Sequence, residues 1–230
     1  FDSKKKIHLH IADNPRMFHI NKQKALEMCK GEWILQLDTD EIVSEDLRNE
    51  IVDVINRDDK HIAFWIPRLN HFLGRALTKG GQYPDYTIRL YKNGVAKLPC
   101  ASVHEQVEIN GKIIPQPDPR APQILEDQNI SILQHPLLHF PWKSLQDYID
   151  KGLIRYSRQE AQNLSENGFR ISLVSGVKYF IILPTVWFFK TYVRHKGFVD
   201  GWQGCAYSFF SSLRYWVTYV MVMGILRSEK

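Results

Sequence analysis

Hydrophobic and polar positions follow one another differently before and after residue 144. Up to that point, short apolar runs end in acidic or Gly/Pro-rich loops. Beyond it, apolar residues recur at helical spacing with basic residues between them. Lys6 to Ala12 alternates polar and apolar, which predicts a strand, and Asp13-Asn14-Pro15 predicts a loop. Asn21 to Lys30 carries Ala25, Leu26 and Cys29 at helical spacing, and Gly31 is a helix stop. Trp33 to Leu37 is an apolar run broken by Gln36 alone, which predicts a buried, parallel strand. Ser44 is placed to cap a helix with Glu45 and Asp46 in its first turn and an apolar stripe of Leu47, Ile51, Val54 and Ile55.

Ile62 to Pro67 predicts a further strand, and Leu73 to Asp85 is a Gly-rich loop. Thr87 to Tyr91 and Val95 to Leu98 flank Lys92-Asn93-Gly94, a hairpin signal, and Asn110-Gly111 marks another tight turn. Residues 115–127 are Pro-rich and acidic and predict an exposed loop. Ile130 to Leu133 predicts a short strand, followed by Leu137-Leu138-His139-Phe140. From Ser144 the period becomes helical, with Leu145, Tyr148, Ile149, Gly152 and Tyr156 on one face. The pattern divides the chain into an α/β part, 1–143, and a helical appendage, 144–230.

Charge sharpens that division. The 230 residues carry a formal charge of +5. Residues 151–230 hold 11 Lys and Arg against 4 Asp and Glu, or +7, which leaves −2 for the remainder. Half of the 28 aromatic residues lie between Tyr179 and Tyr219. A basic, aromatic-rich tail points to an anionic membrane surface, and no nucleic-acid-binding motif accompanies it. The uncharged runs Tyr179–Phe189, Gly201–Leu213 and Tyr215–Leu226 have 11, 13 and 12 residues. Each falls short of the roughly 18 apolar residues of a spanning helix, so helices lying in the interface plane are expected; a helical subdomain packed on the core and a span over 201–226 with Arg214 snorkelling are the alternatives. Cys29, Cys100 and Cys205 form neither a metal spacing nor a disulfide framework, which fits a reducing cytosol. The start at Phe1, in polar strand-like sequence, is read as the loss of a preceding segment.

The candidate chemistry lies in Asp38-Thr39-Asp40-Glu41, just past the Trp33–Leu37 run, where open α/β sheets bind ligands. Asp38 and Asp40 are spaced so that a turn lets both face one hard cation, Mg²⁺ or Mn²⁺. The alternative is an acidic strand-to-helix loop with no metal.

The segment from Lys30 to Glu41, Lys-Gly-Glu-Trp-Ile-Leu-Gln-Leu-Asp-Thr-Asp-Glu, resembles the acidic-motif segment of family 2 glycosyltransferases with the GT-A fold. More narrowly, the chain is similar to the lipopolysaccharide-core β-glucosyltransferase-like branch. Four further stretches carry the resemblance: Gly80 to Asp85 with Arg89-Leu90-Tyr91, Val103-His104-Glu105, Leu138-His139-Phe140, and Lys196 to Gly201.

The resemblance implies a GT-A (Rossmann-like) nucleotide-diphospho-sugar transferase core, N-terminally truncated, with a C-terminal helical appendage. It implies transfer of a sugar from a nucleotide-diphosphate sugar to a hydroxyl on a lipid-linked or cell-envelope glycan, metal-dependent and inverting. Asp40 would ligate the metal directly, and Asp38 would hold the ribose or a metal-bound water. His139 is the candidate third ligand, with His135 its competitor. Glu105 is the expected general base and Asp85 the second candidate. Lys22 and Arg89 are candidates for contact with the diphosphate or donor sugar. Gly80 and Gly81 suit either a loop closing over donor or a plain turn. No Gln-x-x-Arg-Trp motif is present, so polymerisation is not expected. The expected location is cytoplasmic, peripheral on the inner face of the cell membrane. Two other readings compete: a non-catalytic module of the same fold, and a metal-dependent nucleotidyltransferase or phosphatase.

Overall fold

The structure is a computed structural model that describes residues 8–13, 19–57, 60–100, 106–122, 125 and 127–228. It is mixed α/β, and the chain divides into two compact units. The first comprises residues up to Gln36, then 55–65 and 88–132. The second comprises 37–54, 66–87 and everything from Leu133 on. The long strands β3 (Ala63–Phe72) and β5 (Asp85–Lys92) each begin in one unit and end in the other.

In the first unit, α1 (His19–Met28) buries His19 and Leu26. The acidic-motif strand β1 (Trp33–Leu35) pairs antiparallel with β5 and buries only Ile34. The expected buried, parallel strand is therefore corrected. Its single described neighbour leaves Trp33 and Leu35 half-covered. His8 to Ala12 is exposed and forms no strand among the described residues, because alternation without a partner strand builds nothing. The Lys92-Asn93-Gly94 turn forms, but β6 (Ala96–Lys97) pairs with β7 (Glu108–Ile109) and not with β5. The Asn93 side-chain amide donates to the carbonyls of Cys29 and Gly31. Asn110 and Gly111, at φ +51° and +73°, close the predicted β7–β8 (Lys112–Ile113) hairpin. β9 (Ile130–Ile132) runs parallel to the start of β3.

The second unit carries β2 (Glu41–Val43), α2 (Glu45–Ile55) up to Val54, the rest of β3, β4 (Arg75–Ala76) and β10 (Leu137–His139). Ser44 accepts from the Leu47 amide as the N-cap of α2, and Leu47, Ile51 and Val54 are buried as the stripe predicts. β3 runs past Pro67, where the sequence reading stopped it. It turns back into β4 through Leu73 and Gly74, both at positive φ. β10 pairs parallel with β3 and antiparallel with β2.

The helices from Ser144 onward cluster with this unit. Ser144 caps α3 (145–166), whose Tyr148–Ile154 stretch is π-wound. Phe72, Leu77 and Tyr148 form a buried cluster with Trp142 and Tyr207 packed against it. α4 (Leu173–Arg194) is followed by a tight turn (Gly197–Asp200), α5 (Gly201–Ser212) and α6 (Arg214–Ser228). Both Leu173–Arg194 and Gly197–Ser228 are long and apolar enough to cross a membrane by length and composition. Both helical stretches are longer than the uncharged runs within them. Helical winding continues through Lys190, and Leu213 alone separates α5 from α6.

Leu47 is fully buried. Leu47→Ala is expected to cost about 2–5 kcal/mol of stability in urea denaturation. A loss below about 1 kcal/mol would show that α2 does not anchor the unit.

Candidate active site

Sheet register in the second unit builds a row of polar side chains. His139 on β10 stands opposite Asn70 on β3 and opposite Glu41 on β2. Paired positions on adjacent strands share a face, so three consecutive strands place these side chains side by side. Asp85 opens β5 and joins the row through hydrogen bonds. Asn70 Nδ2 donates to Asp85 Oδ2 at 3.2 Å and to the Gln82 carbonyl at 3.3 Å.

Those two acceptors fix the Asn70 amide. With its NH₂ turned to a carboxylate and a carbonyl, Oδ1 must face His139, and His139 Nδ1 lies 2.6 Å from it. Oδ1 only accepts, so Nδ1 carries the proton and Nε2 keeps its lone pair. Nε2 points at Asp40 Oδ2, 3.7 Å away, too far for a hydrogen bond. Burial is the main cause pushing the His139 pKa below its ordinary value of 6.5, and the Arg68 guanidinium pushes the same way. Asp40, Glu41 and Asp85 oppose them but do not prevail. That shift favours the neutral imidazole, whose Nε2 lone pair then faces the Asp40 oxygen without a shared proton.

Arg68 braces the acids. Its guanidinium lies 2.7 Å from Asp85 Oδ2 and 3.7 Å from Oε1 of Glu41, whose side chain is fully buried. Glu41 Oε2 accepts from the Asp38 amide at 2.9 Å, and the Glu41 amide donates to the Asp38 carbonyl at 3.1 Å. The third acid of the motif therefore closes the turn that presents Asp40. The Phe140 amide donates to the Asp40 carbonyl and holds the other side of that turn.

Of the residues singled out from sequence, Asp40, His139 and Asp85 share this network, and Asp38 contributes its backbone to it. Among the described residues no group of three or more His, Cys, Asp and Glu side chains converges as a metal site. His135 instead binds Glu50, which also accepts from the Gln134 and His135 amides. Lys22 lies on α1, and Arg89, buried on β5, belongs to the first unit. Glu105 and His104 lie outside the described residues. Arg68 and Asn70 fall outside the strand that the sequence predicts, which ends at Pro67. The alternation Arg68-Leu69-Asn70-His71 was the available signal, placing two polar residues on one face of a continuing strand.

Two side-chain atoms here could hold a cation together, Asp40 Oδ2 and His139 Nε2. The imidazole nitrogen of His139 and a half-exposed carboxylate oxygen of Asp40 lie 3.7 Å apart, beside two further carboxylates, Glu41 and Asp85, and the Arg68 guanidinium. Mg²⁺ is commonly held through one or two carboxylates together with substrate phosphates, so Asp40 is the harder donor of the pair and the imidazole the softer one.

Comparison with known proteins gives a class. The chain is similar to proteins named glycosyltransferases, at 22–25% identity over four fifths of its length or more, and this supports a transferase role. Among them is the lipopolysaccharide core biosynthesis glycosyltransferase LpsC of Rhizobium meliloti (strain 1021). It is 22% identical over 84% of this chain and 67% of its own length. The uncharacterized glycosyltransferase RT0209 of Rickettsia typhi (strain ATCC VR-144 / Wilmington) is 24% identical over 80% of this chain and 59% of its own. A counterpart in Rickettsia bellii (strain RML369-C) is 25% identical over 80% and 58%. The chain thus spans about three fifths to two thirds of the length of these relatives. No family model and no solved structure matches it.

A histidine with a lowered folded pKa leaves the unfolded chain binding more protons below pH 6.5, so its share of stability falls as pH drops through that value. An NMR titration of the metal-free protein is expected to give a His139 midpoint below 6.5. A midpoint above it would mean that the three carboxylates outweigh burial.

Proposed function

We propose that this chain carries the site of a metal-dependent, inverting glycosyltransferase of family 2 with the GT-A fold. It moves a sugar from a nucleotide-diphosphate sugar to a hydroxyl of a lipid-linked or cell-envelope glycan. The observation that carries the reading is the opposition of Asp40 Oδ2 and the His139 Nε2 lone pair in the motif shared with the resemblance. Asp40 and His139 would hold Mg²⁺ or Mn²⁺, and the bound ion would supply positive charge to the departing diphosphate.

The chain's own groups have distinct tasks. Asn70 keeps the histidine proton on Nδ1, so Nε2 remains a ligand. Arg68 holds Asp85 and Glu41 in place, and Glu41 fixes the Asp38–Asp40 turn. Asp85 Oδ2 is occupied by Arg68 and Asn70, which suits an anchoring carboxylate better than the base. The base is therefore assigned to Glu105, on the resemblance. Asp38, Lys22 and Arg89 are assigned to the donor on the same ground.

An anionic membrane surface is the proposed location of the acceptor, on the cytoplasmic face. In support, α4 leaves Leu173, Val174, Ile181, Val186 and Phe189 more than half exposed, and Lys178, Lys190 and Arg194 lie along the same helix. Only 11% of its apolar window is buried within the protein. Apolar area beside basic groups suits insertion among anionic headgroups.

Nucleotide release from a panel of nucleoside-diphosphate sugars tests the reaction. Release is expected to require Mn²⁺ or Mg²⁺, to stop with a chelator and to fall about 100-fold or more in Asp40→Ala. Unchanged turnover in Asp40→Ala would end the metal assignment. Separately, co-sedimentation with phosphatidylglycerol-containing vesicles is expected to weaken when Lys178, Lys190 and Arg194 become Gln. Equal binding would remove the membrane surface from the proposal.

A further inference from the structure

Asp200 lies far along the chain from the acidic motif, yet its carboxylate is committed to the loop that precedes Asp85. It is 2% exposed. Oδ1 accepts from the Thr78 amide at 3.0 Å and the Thr78 hydroxyl at 2.6 Å, and Oδ2 accepts from the Lys79 amide at 2.8 Å. The Gly80 amide donates to the His195 carbonyl at 2.9 Å. At its other end the same loop gives the Gln82 carbonyl and the Asp85 carboxylate to Asn70. Residues 78–85 are thus fastened at one end to the α4–α5 turn and at the other to the side chain that orients His139.

The turn bearing Asp200 is itself tightly held. Lys196 and Gly201 stand at φ +58° and +70° at its two ends. A Cβ on Gly197 would come 2.9 Å from the Thr191 carbonyl oxygen, and one on Gly204 would overlap the Gly197 carbonyl. A buried carboxylate needs its oxygens hydrogen-bonded, and two backbone amides and a hydroxyl meet that need here.

We propose that Asp200 is a positioning residue for the transfer reaction. By holding Thr78 and Lys79 it sets where Asp85 and Gln82 stand. Through Asn70 it thereby sets the imidazole of His139. The kinetic consequence rests on the glycosyltransferase reading; the structural consequence does not, and the test keeps the two apart.

Asp200→Ala, Asp200→Asn and Thr78→Ala are compared with the unaltered chain by amide hydrogen exchange and by nitrogen-15 NMR of the histidine rings. His139→Gln assigns the His139 signals. In Asp200→Ala, exchange at Thr78 and Lys79 is expected to rise about tenfold or more, while protection within α3 and α6 is kept. The His139 ring signals are expected to move from a pure Nδ1–H tautomer toward a mixture. Asp200→Asn, which still presents an acceptor oxygen, is expected to recover part of both effects. Thr78→Ala removes one donor and is expected to shift both readouts in the same direction by less, which keeps the test open if Asp200→Ala fails to fold. With an active donor, kcat in Asp200→Ala is expected to fall about tenfold or more, with a smaller change in KM.

Unchanged His139 signals in a folded Asp200→Ala, or in Thr78→Ala should the former not fold, would overturn the proposal. So would turnover within twofold of the unaltered chain once the loop amides have been released. An unaltered chain that shows the tethered loop and the Nδ1–H tautomer but releases no nucleotide from any donor would overturn the transferase reading alone. The ring signals then decide the positioning role.

Discussion

One side-chain amide sets the chemistry of the candidate site. Asn70 has two donors and one acceptor oxygen, and the Asp85 carboxylate and the Gln82 carbonyl leave it one orientation. That orientation assigns the proton on His139 and therefore the lone pair that meets Asp40. A hydroxyl at position 70 would not impose the same order, because one atom can donate or accept; a carboxylate would keep the proton on Nδ1 but would have no donor for Asp85 and the Gln82 carbonyl. The electrostatics agree with the hydrogen bonding. Burial and Arg68 push the imidazole toward its uncharged form, against the pull of Asp40, Glu41 and Asp85.

The local elements were legible where sequence supplies a local reason. The cap at Ser44, the buried stripe of α2, the Asn110-Gly111 turn and the cap at Ser144 depend on neighbours a few residues away. Pairing was less legible. β1 reads as apolar over its whole length, but its environment is set by β5, more than fifty residues later. The Gly94 turn forms as its composition demands, and the strand after it still joins a different sheet, pairing with β7, a partner that lies beyond the turn's own residues.

The site was legible in the same uneven way. Asp40, Asp85 and His139 stand out as acidic or imidazole groups beside apolar runs, and the sheet register brings them together. Glu41 was read as one more acid of the motif, although its side chain is fully buried and closes the turn. Asn70 and Arg68 carry no motif, and their importance comes from facing β10 and β5. Asp200 lies more than a hundred residues from its partners, a separation that no local pattern encodes.

The near-contact between Gly197 and Gly204 has a mechanical side. Two backbones meet there with no room for a methyl group. A single added carbon would have to be absorbed by moving the short 3₁₀ turn, because the helix on the other side is stiff. Asp200 rides on that turn, so crowding at an apolar helix crossing would become a sideways shove on a remote histidine. Residues that never meet a ligand would then be as intolerant of change as those that do.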